Sequence, residues 1–189
     1  MKYADVVESI MRKLVIARDA DVGEILAARG YYRTENLSAR NNARKILKYL
    51  TELGRLEEGG EYFRLPGCKS EFKQHSSSLT KALVKILKVF PDSQVVREKE
   101  IPAVKLVPDS LVLISKENKG LVCILEAVTE ETPEYLKSKY DVWQNWDKAL
   151  NFLSQTFGYR VPHFEIVAYP ESPIKEVWNF DEFMKEAIG

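Results

Sequence analysis

Apolar residues recur along this chain first with helical spacing and later with alternation. Over residues 4–17, Val6, Val7, Ile10, Met11, Leu14 and Val15 form one stripe, which predicts a helix. Asp19-Ala20-Asp21 interrupts it, and Asp21 suits the N-cap of a short second helix from Val22 to Arg29, with Ile25 and Leu26 inward and Gly30 at its end. Tyr31-Tyr32-Arg33 is a turn. A third helix opens at Thr34 or Ser38, both suitable N-caps, and carries Ala43, Ile46, Leu47, Leu50 and Leu53 on one face until Gly54 stops it. Two short alternating runs follow, Arg55-Leu56-Glu57 and Glu61-Tyr62-Phe63-Arg64-Leu65. Between them, Gly59-Gly60 supplies the positive φ angles of a tight hairpin. Three helices and a two-stranded hairpin predict a winged helix-turn-helix over residues 1–66.

Pro66-Gly67 punctuates the chain, and residues 67–76 are polar and read as a linker. The next helix is expected from Ser77 to Phe90, with Leu79, Leu83, Ile86, Leu87 and Phe90 inward. The period then falls from roughly 3.6 to 2. Gln94–Ile101, Leu111–Ser115 and Leu121–Val128 read as strands, the last two joined by the loop Lys116-Glu117-Asn118-Lys119-Gly120. The third is nearly all apolar and so belongs in the middle of a sheet. Pro133 opens a helix that runs to about Thr156, rich in aromatics (Tyr135, Tyr140, Trp143, Trp146, Phe152) and ended by Gly158. Phe164–Tyr169 is a fourth strand, and a last helix spans Asp181 to Ala187. The fold class is therefore α+β, with a second α/β domain over residues 77–189 in the order helix, three-stranded meander, helix, strand, helix.

Composition narrows the function less than the pattern does. At 189 residues, 45% hydrophobic and 30% charged, the chain is globular rather than disordered. Its 28 Lys and Arg balance 28 Asp and Glu, so any attraction to nucleic acid is local. One such place is Arg33 to Lys48, where five basic residues meet the single acid Glu35. Two cysteines, Cys68 and Cys123, are too few and too unpatterned for a disulfide framework or a zinc site, which points to a reducing compartment. No run is long enough to span a bilayer, and MKYADVVESI lacks an apolar targeting core. The expected location is the cytoplasm, with no membrane partner and no cofactor.

The exposed side of the third helix carries Arg40, Asn41, Asn42, Arg44, Lys45 and Lys48. Asn pairs bidentately with adenine and Arg with guanine, and Lys suits phosphate. The bland alternative is the solvated face of an amphipathic helix; the hairpin that follows favours the DNA reading. Glu57, Glu58 and Glu61 in that hairpin repel phosphate, so the wing is expected to stay off the DNA backbone or to meet a protein. Asp109, after Pro108, and Glu126, in LVCILEAV, lie on strands joined by a hairpin. A carboxylate pair so placed is how a nuclease holds Mg or Mn. The alternative is a turn residue and a strand-end acid. His75 and His163 join no nucleophilic set, and Trp143 and Trp146, three apart on a long helix, read as core.

Taken together, the N-terminal winged helix, His75 at a helix entry, Pro108-Asp109 before a strand and LEAVTEETPE leading to a helix with Tyr140 resemble the replication-relaxation proteins of plasmids and related mobile elements. The resemblance runs from about residue 5 to 175. It implies that the second domain is similar to the restriction-endonuclease-like PD-(D/E)xK core, with Asp109 and Glu126 as its acids. The lysine an active site wants two residues after the acid is Val128 here, and the Asp-Arg that the family prefers at this place is Val128-Thr129. Lys137 or Lys139, on the next helix, is the nearest substitute. The resemblance thus implies a catalytically dead nuclease-like domain that serves dimerisation, DNA shape contacts or a protein partner.

The reading is a sequence-specific protein for double-stranded DNA, acting in replication, relaxation or transcriptional control of a plasmid, phage or mobile element. A homodimer and a replication or relaxase partner fit that setting. The alternatives are a metal-dependent nuclease using Asp109 and Glu126 with Mg or Mn, and a protein-interaction module with no DNA role.

Overall fold

The computed structural model describes residues 1–32, 37–68, 74–116, 119–129 and 132–189, with the side chains of Lys116 and Lys119 outside that description. The expectations for Arg33, for the Thr34 cap and for the Glu117-Asn118 loop tip fall outside the described residues. The chain is mixed α and β and divides into two compact units, Met1–Pro91 and Asp92–Gly189.

The first unit opens with α1 (Ala4–Leu14), which buries Val7, Ile10, Met11 and Leu14 on one stripe. The predicted helix stops three residues early. Val15 takes φ 64°, a left-handed value that is costly for a β-branched residue, and its N–H closes on the Met11 carbonyl at 2.7 Å. Residues Ile16–Arg18 then form β1, a strand that the apolar run concealed. Helix α2 (Asp19–Ala28) begins earlier than expected. Arg18 is its N-cap and Asp21 sits at the third position, accepting the Arg18 backbone N–H at 2.8 Å. Helix α3 (Leu37–Glu52) buries Ala39, Ala43, Ile46, Leu47 and Leu50. The hairpin β2 (Glu57–Gly59) and β3 (Tyr62–Arg64) turns through Gly60 at φ 67°. β3 is the central strand of an antiparallel sheet ordered β1-β3-β2.

Helix α4 (Gln74–Val89) starts before its predicted Ser77 and belongs to this first unit rather than to the second. Its apolar stripe packs on α2 and α1. Thr80 Oγ1 donates to the Ile16 carbonyl at 3.0 Å, and the Pro91 carbonyl just past the helix accepts Lys13 Nζ at 3.0 Å and Arg29 Nη2 at 2.9 Å. The expected boundary near residues 67–76 therefore moves to Pro91. A helix with one apolar face joins whichever core completes it, and here that core is built by α1, α2 and β1.

In the second unit β4 (Gln94–Arg97), β5 (Ser110–Lys116) and β6 (Lys119–Ala127) form an antiparallel meander. The predicted long helix is two, α5 (Pro133–Asn145) and α6 (Ala149–Phe157), because Trp146 leaves helical geometry at ψ 101°. They cross over to β7 (Phe164–Tyr169), which runs parallel to β6. A two-residue β8 (Trp178–Asn179), too short to show in the sequence pattern, extends the sheet to the order β4-β5-β6-β7-β8. Helix α7 (Phe180–Ile188) closes the chain. On one sheet face Leu111, Leu113, Val122, Ile124 and Ile166 form a core with Leu136, Trp143, Leu153 and Phe157 of α5 and α6. Trp143 is buried there and Trp146 packs against it, as their spacing predicts.

Candidate functional site

Burial of one stripe of α3 decides what its other face presents. Arg40, Asn41, Arg44, Lys45 and Lys48 are all exposed. Asn42 is half-buried, which corrects its assignment to the outer face: it lies three residues after Ala39 and four before Ile46, at the border of the buried stripe. The helix is held close to α2. A Cβ built on Gly23 would lie 3.1 Å from both the Cα and the N of Arg40, so the two backbones touch where the outer face begins.

Charge on this face is arranged rather than merely displayed. Asp19, the first residue of α2, is buried; its Oδ1 accepts Arg40 Nε at 3.0 Å, and its Oδ2 lies 4.0 Å from Arg44 Nη1. Arg18 is held by Asp21 through Nε at 3.3 Å, and that hydrogen bond raises the guanidinium pKa above its ordinary value. Arg18, Asp19, Arg40 and Arg44 line a recess of about 300 Å³ that Glu58 and Glu61 of the hairpin close on the other side. Glu57 is paired with Arg64 at 2.9 Å, while Glu58 and Glu61 are exposed. In the sequence Asp19 reads only as an interruption between helices; the available signal is an acid in the first turn of the helix that precedes a basic one.

The balance of charge between the units adds to this. Residues 1–91 hold 17 Lys and Arg against 11 Asp and Glu, a formal +6, and residues 92–189 hold 11 against 17, a formal −6. The zero net charge of the chain conceals a basic unit joined to an acidic one.

In the second unit the structure brings Asp109 and Glu126 together. The register pairs Ser110 with Leu125, so one step further sets Asp109 across from Glu126. Asp109 Oδ2 accepts the Ala127 N–H at 2.7 Å. The structure also selects between the two lysines. Lys137 is on the outside of α5, bonded to Glu176 at 3.0 Å, and that bond holds its pKa above the ordinary value. Lys139 shares the inward stripe with Leu136 and Trp143, and its Nζ donates to Glu126 Oε2 at 2.6 Å. By composition of its helix Lys139 reads as a surface lysine; its place on the apolar stripe is the signal that separates it from Lys137.

Two acids and a lysine are the residue types of a Mg site, but their setting does not fit one. Glu126 has 0% and Lys139 5% of its surface exposed, so this side of the acid pair offers no face to a phosphate. What stands there is a buried ion pair under α5. Among the described residues no group of three His, Cys, Asp or Glu is placed to hold a metal, and no helix is long and apolar enough to cross a membrane. Comparison of the chain with models of known protein families, with characterised proteins and with solved structures returns no match.

Proposed function

We propose that this protein binds double-stranded DNA through α3, which enters the major groove with Arg40, Asn41, Arg44, Lys45 and Lys48 outward. The observation that carries the reading is the exposed polar and basic face of α3, set beside a β1-β3-β2 sheet in a unit of formal charge +6. A helix of this character, packed across a preceding helix and followed by a hairpin, is the arrangement by which winged helix-turn-helix units read DNA. Glu58 and Glu61 keep the hairpin tip off the phosphates, so affinity comes from the helix rather than the wing. The setting is replication, relaxation or transcriptional control of a mobile element, as the resemblance of the sequence implies. The second unit, with its β4-β5-β6 meander and helical crossover to a parallel β7, serves as an inactive nuclease-like scaffold.

Mobility-shift titration on the DNA upstream of the protein's own coding sequence tests this. Binding weakens steeply as salt rises, and Lys45→Ala with Lys48→Ala lowers the slope of log affinity against log salt by about 2, near 0.9 for each phosphate no longer neutralised. Unchanged binding by that double variant removes α3 as the contact. Supercoiled plasmid incubated with the protein and Mg or Mn stays intact; nicking that disappears in Glu126→Ala would instead make the second unit a nuclease.

A further inference from the structure

We infer that Asp19 is a positioning residue for base recognition: it anchors Arg40 by a hydrogen bond and draws Arg44 towards the same carboxylate by charge, setting the two as a fork aimed at guanine-containing base pairs. The inference rests on the reading of α3 as the DNA-binding helix. Burial separates the partners. The Asp19 side chain is 9% exposed and the two arginine side chains are each 54% exposed, so the carboxylate belongs to the fold and the guanidinium groups to the surface. Arg40 and Arg44 are one turn apart on α3 and face different oxygens of the same carboxylate: Arg40 hydrogen-bonds one at 3.0 Å, and Arg44 Nη1 lies 4.0 Å from the other, an electrostatic contact without a hydrogen bond. The Arg40 contact uses Nε, the inner end of the guanidinium, and the terminal nitrogens are the ones with which arginine grips guanine O6 and N7.

The carboxylate is itself fixed. Asp19 and Gly23 are one turn apart on α2, and Gly23 lies against the backbone of Arg40. Asp19 therefore cannot shift relative to the arginines without parting the two helices. A guanidinium held before DNA arrives loses less freedom on binding, and it is held in one direction only. The acids around the recess also decide what the arginines read. Asp19, Glu58 and Glu61 surround them and disfavour a phosphate at this spot, whereas a neutral base edge meets no such penalty. Lys45 and Lys48, further along the exposed face, are left to the phosphates. Asp19 thus lowers overall affinity and raises discrimination.

The test begins with duplexes selected from a random pool by the full-length protein. The expected sites contain guanine at fixed positions. Asp19→Asn binds scrambled duplex more tightly and loses about tenfold of its preference for the selected duplex over one with those G·C pairs replaced, the scale of one bidentate contact. Its salt slope steepens by about 1, because a released arginine takes a phosphate. Asp19→Glu keeps the charge and hence the salt slope, yet loses discrimination, because the longer side chain displaces the fork. In an Arg40→Ala, Arg44→Ala background, Asp19→Asn changes discrimination no further. Wild-type discrimination in both Asp19 variants overturns the inference, as does an undiminished Asp19→Asn effect in the arginine-free background. Should Asp19→Asn fail to unfold cooperatively, Asp19→Glu decides alone. A wild-type protein that selects no duplex removes the DNA reading and this inference with it. Salt-dependent selection by the wild type, unaltered by Asp19 variants, removes only the inference.

Discussion

Gly23 and Lys139 show how single positions carry each unit. At Gly23 a methyl group would meet the Cα and N of Arg40 at 3.1 Å, and a backbone cannot turn aside as a side-chain tip can. Gly23→Ala gains about 1 kcal/mol of helix propensity and loses about 1–3 kcal/mol to overpacking, so the expected outcome in urea denaturation is a net loss of stability. On the proposed reading of α3, DNA binding is expected to weaken in the same variant, since α3 is pushed outward at the residue where its exposed face begins. A stabilised Gly23→Ala would mean that α3 retreats freely from α2. At Lys139 the effect is electrostatic. Lys139→Ala leaves Glu126, fully buried, without the cation 2.6 Å away, and is expected to cost about 3–5 kcal/mol in chemical denaturation. The joint change of Lys139→Met and Glu126→Leu removes both charges and keeps most of the volume, so it costs much less. Equal losses in the single and the joint variants would show that packing of the two stems, rather than the ion pair, holds α5 to the sheet.

Elements are legible in the sequence where their periodicity is long enough to outweigh local accidents. The stripes of α1, α3 and α4 and the short apolar runs of β5, β6 and β7 declare themselves, because a helix buried on one face repeats its apolar residues with helical spacing and a strand buried on both faces is apolar throughout. What escapes is short or decided by neighbours. Leu14, Val15, Ile16 and Ala17 continue a helical stripe without a break, so nothing local announces that Val15 turns left-handed and that Ile16–Arg18 pair with Tyr62–Arg64. β8 has two residues and no period at all. The assignment of α4 is a tertiary choice: the sequence shows an apolar face but not which core it completes. The candidate site divides the same way. Arg40, Arg44, Lys45 and Lys48 are legible as the side opposite a buried stripe. Asp19 is not, because its role arises from the crossing of α2 and α3. Lys139 stands on the apolar stripe of α5, and the acid that draws it inward is on another element.

For the molecule as a whole, the division at Pro91 and the opposed charges of the two units determine what a fragment does. A chain cut after Pro66 lacks α4, whose Leu79, Leu83, Ile86 and Leu87 are fully buried, and exposes the faces of α1 and α2 they cover. Such a fragment is expected to lose cooperative thermal unfolding. A chain of residues 1–91 keeps α4, the Thr80 hydrogen bond to Ile16 and both cations on the Pro91 carbonyl, and is expected to unfold cooperatively. It also carries +6 without the −6 of residues 92–189. If the first unit binds DNA as proposed, the acidic unit tethered to it repels phosphate through solvent, over a distance that shrinks to about 10 Å at 0.1 M salt. The 1–91 fragment should therefore bind duplex DNA more tightly than the whole chain at low salt, with the two affinities converging as salt rises. Titration of both proteins on one duplex across a salt series measures this directly. Tighter binding by the whole chain at every salt concentration would place DNA contacts on the second unit and end its reading as a scaffold.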